Sequence, residues 1–331
     1  MPADTFTFQA DDGRELFVYR WLPDGGARGV VHVAHGMSEH AGRYARLAQA
    51  LCAAGWAVYA NDHRGHGATA RGSDELGFFA SQGGFQRVVR DLAQLLARAR
   101  GEHPGLPVVL FGHSMGAALA QEILIEHGGS IDGAVLSGAA GKANALVDAG
   151  RLVARAERRR LGERGKSQLL QTMSFDSFNK VFAPTRTPFD WLSRDRAEVD
   201  VYMADPRCGF PATTSLWVDL LDGMAALARP ERLSRIPKDL PLYVFSGSRD
   251  PVGGLLKGVT QMIEAYRAAG LRRVAQRFYP GGRHEMLNEI NREEVVRDLL
   301  AWLAAEVASE ARAPERPAQS GAGPRAGAAP G

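Results

Sequence analysis

Cysteine is scarce in this sequence: 331 residues contain two, Cys52 and Cys208, far apart in the chain. They imply no disulfide framework, so a reducing compartment is expected, with Cys52 a small core residue in an apolar-periodic stretch. Long apolar runs are missing as well, and none approaches the roughly 18 residues that a membrane span requires. The opening MPADTFTFQADDGRELF has neither a basic n-region nor a continuous apolar h-region. No signal peptide is read there, and a cytoplasmic location is expected. An excess of one charge is also lacking, since 40 Lys and Arg face 37 Asp and Glu for a net charge of +3. Nucleic-acid binders concentrate Lys and Arg on one stripe, so nucleic acid is not an expected partner. There are no internal repeats.

What is present is ample core material. Hydrophobic residues make up 45% and charged residues 23%, which suits one large domain or a core carrying an insertion and requires no metal or disulfide staple. Thr5–Gln9 and Glu15–Trp21 read as strands joined by the turn residues Asp11, Asp12 and Gly13. Val30–Ala34, Ala57–Ala60, Pro107–Phe111 and Asp132–Ser137 are short apolar runs suited to strands buried on both faces. Helical spacing appears over 42–54, 86–100 and 115–126, and the first of these stops at Gly55. Further on, 240–246 and 273–279 read as strands, with helices over 259–269 and 295–307. Strands alternating with helices predict an α/β fold, a mostly parallel sheet flanked by helices. The stretch from Asn144 to Arg235 breaks the alternation and reads as a helical insertion. Beyond Ser309 the chain is mostly Ala, Gly and Pro, a composition that predicts a disordered tail.

The chemistry-bearing signal is Gly112-His113-Ser114-Met115-Gly116, between an apolar strand and an apolar helix. A G-x-S-x-G pentapeptide in that context is a nucleophile elbow: the turn is sharp enough that small residues are needed two before and two after the serine. The helix N-terminus favours developing negative charge, and the Met115 amide is placed to donate to an oxyanion. A serine hydroxyl needs a base to take its proton, and with this elbow the partners follow in the order acid, then histidine. Asp250 lies just after the strand LYVFS and is the candidate acid; Asp219 and Asp222 fall in the insertion and are worse placed. His284, in a short loop before the last helix, is the candidate base. A second oxyanion donor is expected in the loop after the third strand, where Gly36 permits close approach and the Met37 amide is the candidate.

Several longer segments extend this pattern. They are His35-Gly36-Met37-Ser38-Glu39-His40 with Arg43-Tyr44, then Asp62-His63-Arg64-Gly65-His66-Gly67, Ser248-Arg249-Asp250-Pro251 and Gly281-Gly282-Arg283-His284-Glu285. Together with the elbow they resemble the monoacylglycerol lipase and lysophospholipase branch of the α/β-hydrolases, also described as serine aminopeptidase S33-like. The resemblance spans roughly two-thirds of the chain, on both sides of the insertion. It implies an α/β-hydrolase fold, ester hydrolysis through an acyl-enzyme, no cofactor, and a helical cap over the site. The expected organisation is a core in two halves, 1–142 and 236–308, a cap over 143–235 and a tail over 309–331. The expected substrate is a monoacyl lipid ester, a monoacylglycerol or a lysophospholipid. A short-chain carboxylesterase, an aminopeptidase and a non-catalytic ligand-binding protein are the alternatives.

Three further features admit two readings each. His63 and His66 beside Asp62 suggest a metal site, but the spacing is tight and no third and fourth ligands are apparent, so no metal is expected. Glu39 and Arg43, four apart, read as a pair at a helix start in preference to a substrate contact. Met173, Phe175, Phe178, Phe182, Trp191, Trp217, Leu221 and Met224 supply apolar bulk to the insertion. Most are expected to hold it together, with only a few facing the site. The basic run from Arg151 to Lys166 reads first as a solvated helix face, and alternatively as a contact between the cap and an anionic membrane surface at the inner face.

Overall fold

A computed structural model of the chain describes residues 3–141 and 145–307; the tail expected over 309–331 lies outside them. Eight strands form one sheet in the order β1-β2-β4-β3-β5-β6-β7-β8. β1 (Asp4–Gln9) and β2 (Glu15–Trp21) form an antiparallel hairpin. β2 joins the sheet antiparallel to β4 (Trp56–Asn61), which pairs parallel with β3 (Gly29–Ala34). β5 (Val108–His113), β6 (Gly133–Ser137), β7 (Leu242–Gly247) and β8 (Val274–Tyr279) continue in parallel.

The side-chain period of two divides the central strands between two core layers. Val30, Leu110, Leu136 and Val244 face one cluster, packed under helices α2 (Gly84–Glu102) and α3 (Met115–His127). Val31, Val33, Phe111, Val135 and Phe245 face the other, with α1 (Ala45–Ala53). Every residue of β3, β4, β5, β6 and β7 is buried, which is why these strands read as continuous apolar runs instead of alternating ones. Burying each Val, Leu or Phe contributes about 1.5–3 kcal/mol.

Between β6 and β7 the chain is helical. α4 (Ala145–Leu161) is followed by α5 (Gln168–Gln171), which passes through a wider turn at Thr172–Asp176 into α6 (Ser177–Lys180). Then come α7 (Arg196–Ala204), α8 (Thr214–Leu227) and α9 (Pro230–Leu233). α8 starts where Thr213 accepts a bond from the Leu216 amide, and it packs against α4, α2 and α3. Trp191, Leu192 and Tyr202 make a small separate core. After β7, α10 (Lys257–Ala268) leads to β8, and α11 (Arg292–Trp302) closes the sheet's second face with Val295, Leu299 and Trp302.

The strand order places the site. β3 has β4 on one side and β5 on the other, so the winding direction reverses between β3 and β5. A crevice opens at the carboxyl ends of two such strands. The loops leaving β3 and β5 begin at His35 and Ser114.

Candidate active site

Ser114 stands between β5 and α3 with φ +54 and ψ −116, a conformation rarely adopted by a residue with a side chain. The flanking glycines make that turn possible. A Cβ on Gly116 would overlap the carbonyl oxygen of Ala34, and one on Gly112 would overlap that of Gly116. The Ser114 amide donates to Ser137 O at 2.9 Å, tying the elbow to β6.

His284 and Asp250 come from loops at the same end of the sheet. Both are buried, and His284 Nδ1 lies 3.0 Å from each carboxylate oxygen of Asp250. The carboxylate is itself oriented: Oδ1 accepts the Val252 amide at 2.9 Å and Oδ2 the Ser246 hydroxyl at 3.3 Å. The imidazole sits between Trp191 and His113, with ring centroids 4.9 and 4.8 Å away. Burial disfavours its charged form, but the Asp250 carboxylate outweighs that, and the pKa lies above the ordinary histidine value. His113 gains no such partner, and burial presses its pKa down to about 4.

Ser114 and His284 face one cavity of about 500 Å³, together with Gly36, Met37 and Met115. The Gly36 amide donates to Glu39 Oε1 at 2.6 Å, whereas those of Met37 and Met115 have no acceptor among the described residues. Seven of the eight bulky apolar residues of the insertion line this cavity; only Phe182 does not. That corrects the expectation that only a few would face the site, although Trp191 and Trp217 also belong to core clusters and Phe175, Phe178, Leu221 and Met224 pack against them. The inter-strand helices form a small core of their own at Trp191, Leu192 and Tyr202 and bury Leu216, Val218 and Leu227 in the main core, and the cavity opens between these two clusters. Phe182 packs against the small core and lies beneath Arg283.

Asp62, His63 and His66 are buried and hold loops. Asp62 accepts the amides of Ala41 at 2.8 Å and Ala68 at 2.6 Å. His63 donates its amide to His35 Nε2 at 3.0 Å, and His66 Nδ1 bonds Arg64 O at 2.9 Å. Among the described residues, the potential metal ligands that converge are His40, Asp205 and Cys208, a set that contains none of these three. Sequence reading missed the reach of Arg43, which bonds Glu285 as well as Glu39. The signal available was the density of charge in the Glu39–Tyr44 segment together with a glutamate directly after the candidate base.

The sheet order, the crevice at its reversal and a serine on a strand-to-helix elbow make this protein an α/β-hydrolase. A family model described as serine aminopeptidase, S33, matches residues 25–291, and the chain belongs to that family. It is 31% identical over 288 residues to the monoacylglycerol lipase of Mycolicibacterium smegmatis, covering 86% of this chain and 91% of that one. It is 29% identical over 305 residues to the human monoglyceride lipase, covering 90% and 89%. Among solved structures, a thermostable carboxyl esterase from Bacillus coagulans in complex with glycerol superposes with a TM-score of 0.85 at 27% identity, over 93% of this chain and 99% of that one.

Proposed function

We propose that this protein hydrolyses the esters of monoacyl lipids, monoacylglycerols or lysophospholipids, through an acyl-enzyme on Ser114. The observation that carries the reading is the cavity: apolar over most of its wall, it holds Ser114 and His284 together at one place. A long acyl chain gains by burial there, while the ester carbonyl meets the polar end. The monoacylglycerol lipase relatives support the same substrate class.

In this mechanism His284 takes the Ser114 proton as the hydroxyl attacks the ester carbonyl. Asp250 holds the tautomer with Nδ1 protonated and stabilises the imidazolium. The Met37 and Met115 amides receive the oxyanion. The protonated His284 returns its proton to the leaving alcohol, and water then repeats the sequence on the acyl-enzyme. The helices of 143–235 act as a cap whose apolar face selects the acyl chain.

The test is fatty-acid release from a monoacylglycerol and a lysophosphatidylcholine of matched chain, with Ser114→Ala as the blank. Release from at least one, abolished in the variant, is expected. Activity confined to short esters or peptide anilides, or a blank that retains more than a few per cent, would overturn the proposal.

Peripheral contact with a lipid surface belongs to the same reading. No helix among the described residues is long and apolar enough to cross a membrane. Leu152 is 69% exposed, Leu169 49% and Leu255 48%, and the partly exposed Met173 also lines the cavity. In the basic run, Arg151 and Arg155 share Asp222, Arg158 pairs with Glu163 and Arg160 with Glu157, while Arg159, Arg164 and Lys166 make no ion pair among the described residues. Binding to neutral vesicles that falls on Leu152→Asp is expected in a flotation assay, and wild-type flotation of that variant would remove the contact from these helices.

A further inference from the structure

Glu39 and Glu285 stand in the cavity wall and share Arg43 in a buried ion network. Arg43 Nη1 lies 2.5 Å from Glu39 Oε2, and the guanidinium grips both oxygens of Glu285 at 2.7 Å. Glu39 Oε1 accepts from the Gly36 amide at 2.6 Å and from the Tyr44 hydroxyl at 2.9 Å. Asn288 donates to Glu285 at 2.9 Å. Side-chain exposures are 12% for Arg43, 4% for Glu39 and 7% for Glu285. Two carboxylates against one guanidinium leave a formal charge of −1. Burying an unbalanced cluster costs desolvation free energy that pairing only partly offsets, so stability alone is a poor reason for it.

Its position supplies a better one. One end holds the amide just before Met37, and the other is the residue just after His284. Gly36 is close enough to the elbow that a Cβ there would come 3.3 Å from Ser114 Cβ and press on Glu39 Oε1. We propose that Glu39 is a positioning residue of the reaction: it fixes the loop that presents the Met37 amide and, with Arg43 and Glu285, sets one uncompensated negative charge beside His284. The proposal rests on His284 being the base.

The groups facing His284 make the electrostatic half specific. Asp250 bonds Nδ1, neutral His113 and Trp191 flank the ring, and Glu285 and Glu39, both paired with Arg43, act at longer range. Asp250, then Glu285 and Glu39, all favour the imidazolium that forms as Ser114 attacks. The geometric half depends on reach. A glutamine at 39 offers one carbonyl oxygen to three donors and carries no charge, whereas an aspartate keeps the charge but is one methylene short of the Gly36 amide.

The experiment measures kcat, KM and the pH profile of kcat/KM for Glu39→Gln, Glu39→Asp and Glu285→Gln, with melting temperatures and Ser114→Ala alongside. In Glu39→Gln, kcat is expected to fall about 10- to 100-fold, the scale of a small misplacement of catalytic groups. KM should stay within about threefold, because the lost interaction is made in the transition state. The acid limb should move to lower pH in both Gln variants, with the smaller kcat loss in Glu285→Gln, which leaves the Gly36 contact intact. Glu39→Asp should lose kcat with its limb in place. A Glu39→Gln enzyme with wild-type kcat, or one that loses activity and melting temperature with an unmoved limb, would overturn the proposal. If Ser114→Ala remains active, the assignment of the site has failed instead.

Discussion

At the scale of single residues, Asp250 offers the sharpest test of the proposed chemistry. Its carboxylate is held by the Val252 amide and the Ser246 hydroxyl and has His284 Nδ1 as its third partner. An asparagine keeps the volume but turns its amide donor or a weaker acceptor toward the ring, favouring the wrong tautomer. Asp250→Asn is expected to lose at least about 10³-fold in kcat without unfolding. The sign of the pH effect follows from the raised pKa of His284. A base works when neutral, so the acid limb of kcat/KM lies above the ordinary histidine range in the wild type. It should move down in the variant, and an unmoved limb would mean that another group titrates. The individual residues at this end of the sheet were legible because the elbow and the Gly36 loop are local features, set by neighbours in sequence. Arg43 was read as a local pair because its second partner lies 242 positions away, and no periodicity carries that information.

At the scale of elements, local signals worked wherever one element answers to one requirement. The amphipathic face of α2 appears as Val88, Val89, Leu92, Leu95 and Leu96, all buried, and the continuous apolar strands follow from burial on two faces. The helices between β6 and β7 were harder, because an apolar face pattern does not say whether a core or a cavity lies opposite. What anchors them is specific bonding. The Thr213 hydroxyl both caps α8, accepting the Leu216 amide at 3.2 Å, and donates to Gly77 O at 2.5 Å in the loop before α2. Thr213→Ala removes the cap and one donor from that buried carbonyl, for an expected destabilisation of about 1–3 kcal/mol. Because α8 carries Trp217, Leu221 and Met224 into the cavity, KM for a long-chain ester should rise along with the loss. A denaturant titration and a KM measurement on one preparation check both, and a variant as stable as wild type would show that α8 does not depend on this anchor.

At the scale of the whole molecule, the buried histidines govern how the fold answers acid. His32, His66 and His113 each have a pKa pushed down to about 4 by burial, and His35 and His63 are also driven well below the ordinary value of 6.5. For a base, a lowered folded-state pKa means that the unfolded chain takes up protons first as pH falls. The stability these groups contribute is complete above the unfolded pKa and is lost progressively below it. At pH 5 each of the three groups near 4 costs roughly 2 kcal/mol relative to neutral pH. Asp219, raised to about 6 by burial, protonates in the folded state first and offsets part of one. His284, raised by Asp250, also acts in the opposite sense: its stabilisation is full below its unfolded pKa and fades as pH rises through the folded one. The net loss is a large fraction of a domain's usual 5–15 kcal/mol. The melting temperature should therefore fall steeply between pH 6 and pH 5 on this account, before most carboxylates titrate. The proton uptake on unfolding, read from the slope of stability against pH, should exceed one. A melting temperature that is flat down to pH 5 would mean that the histidines beneath the Gly36 loop are reached by water and pay no burial penalty. In that case the loop that presents Met37 would be looser than its buried neighbours imply.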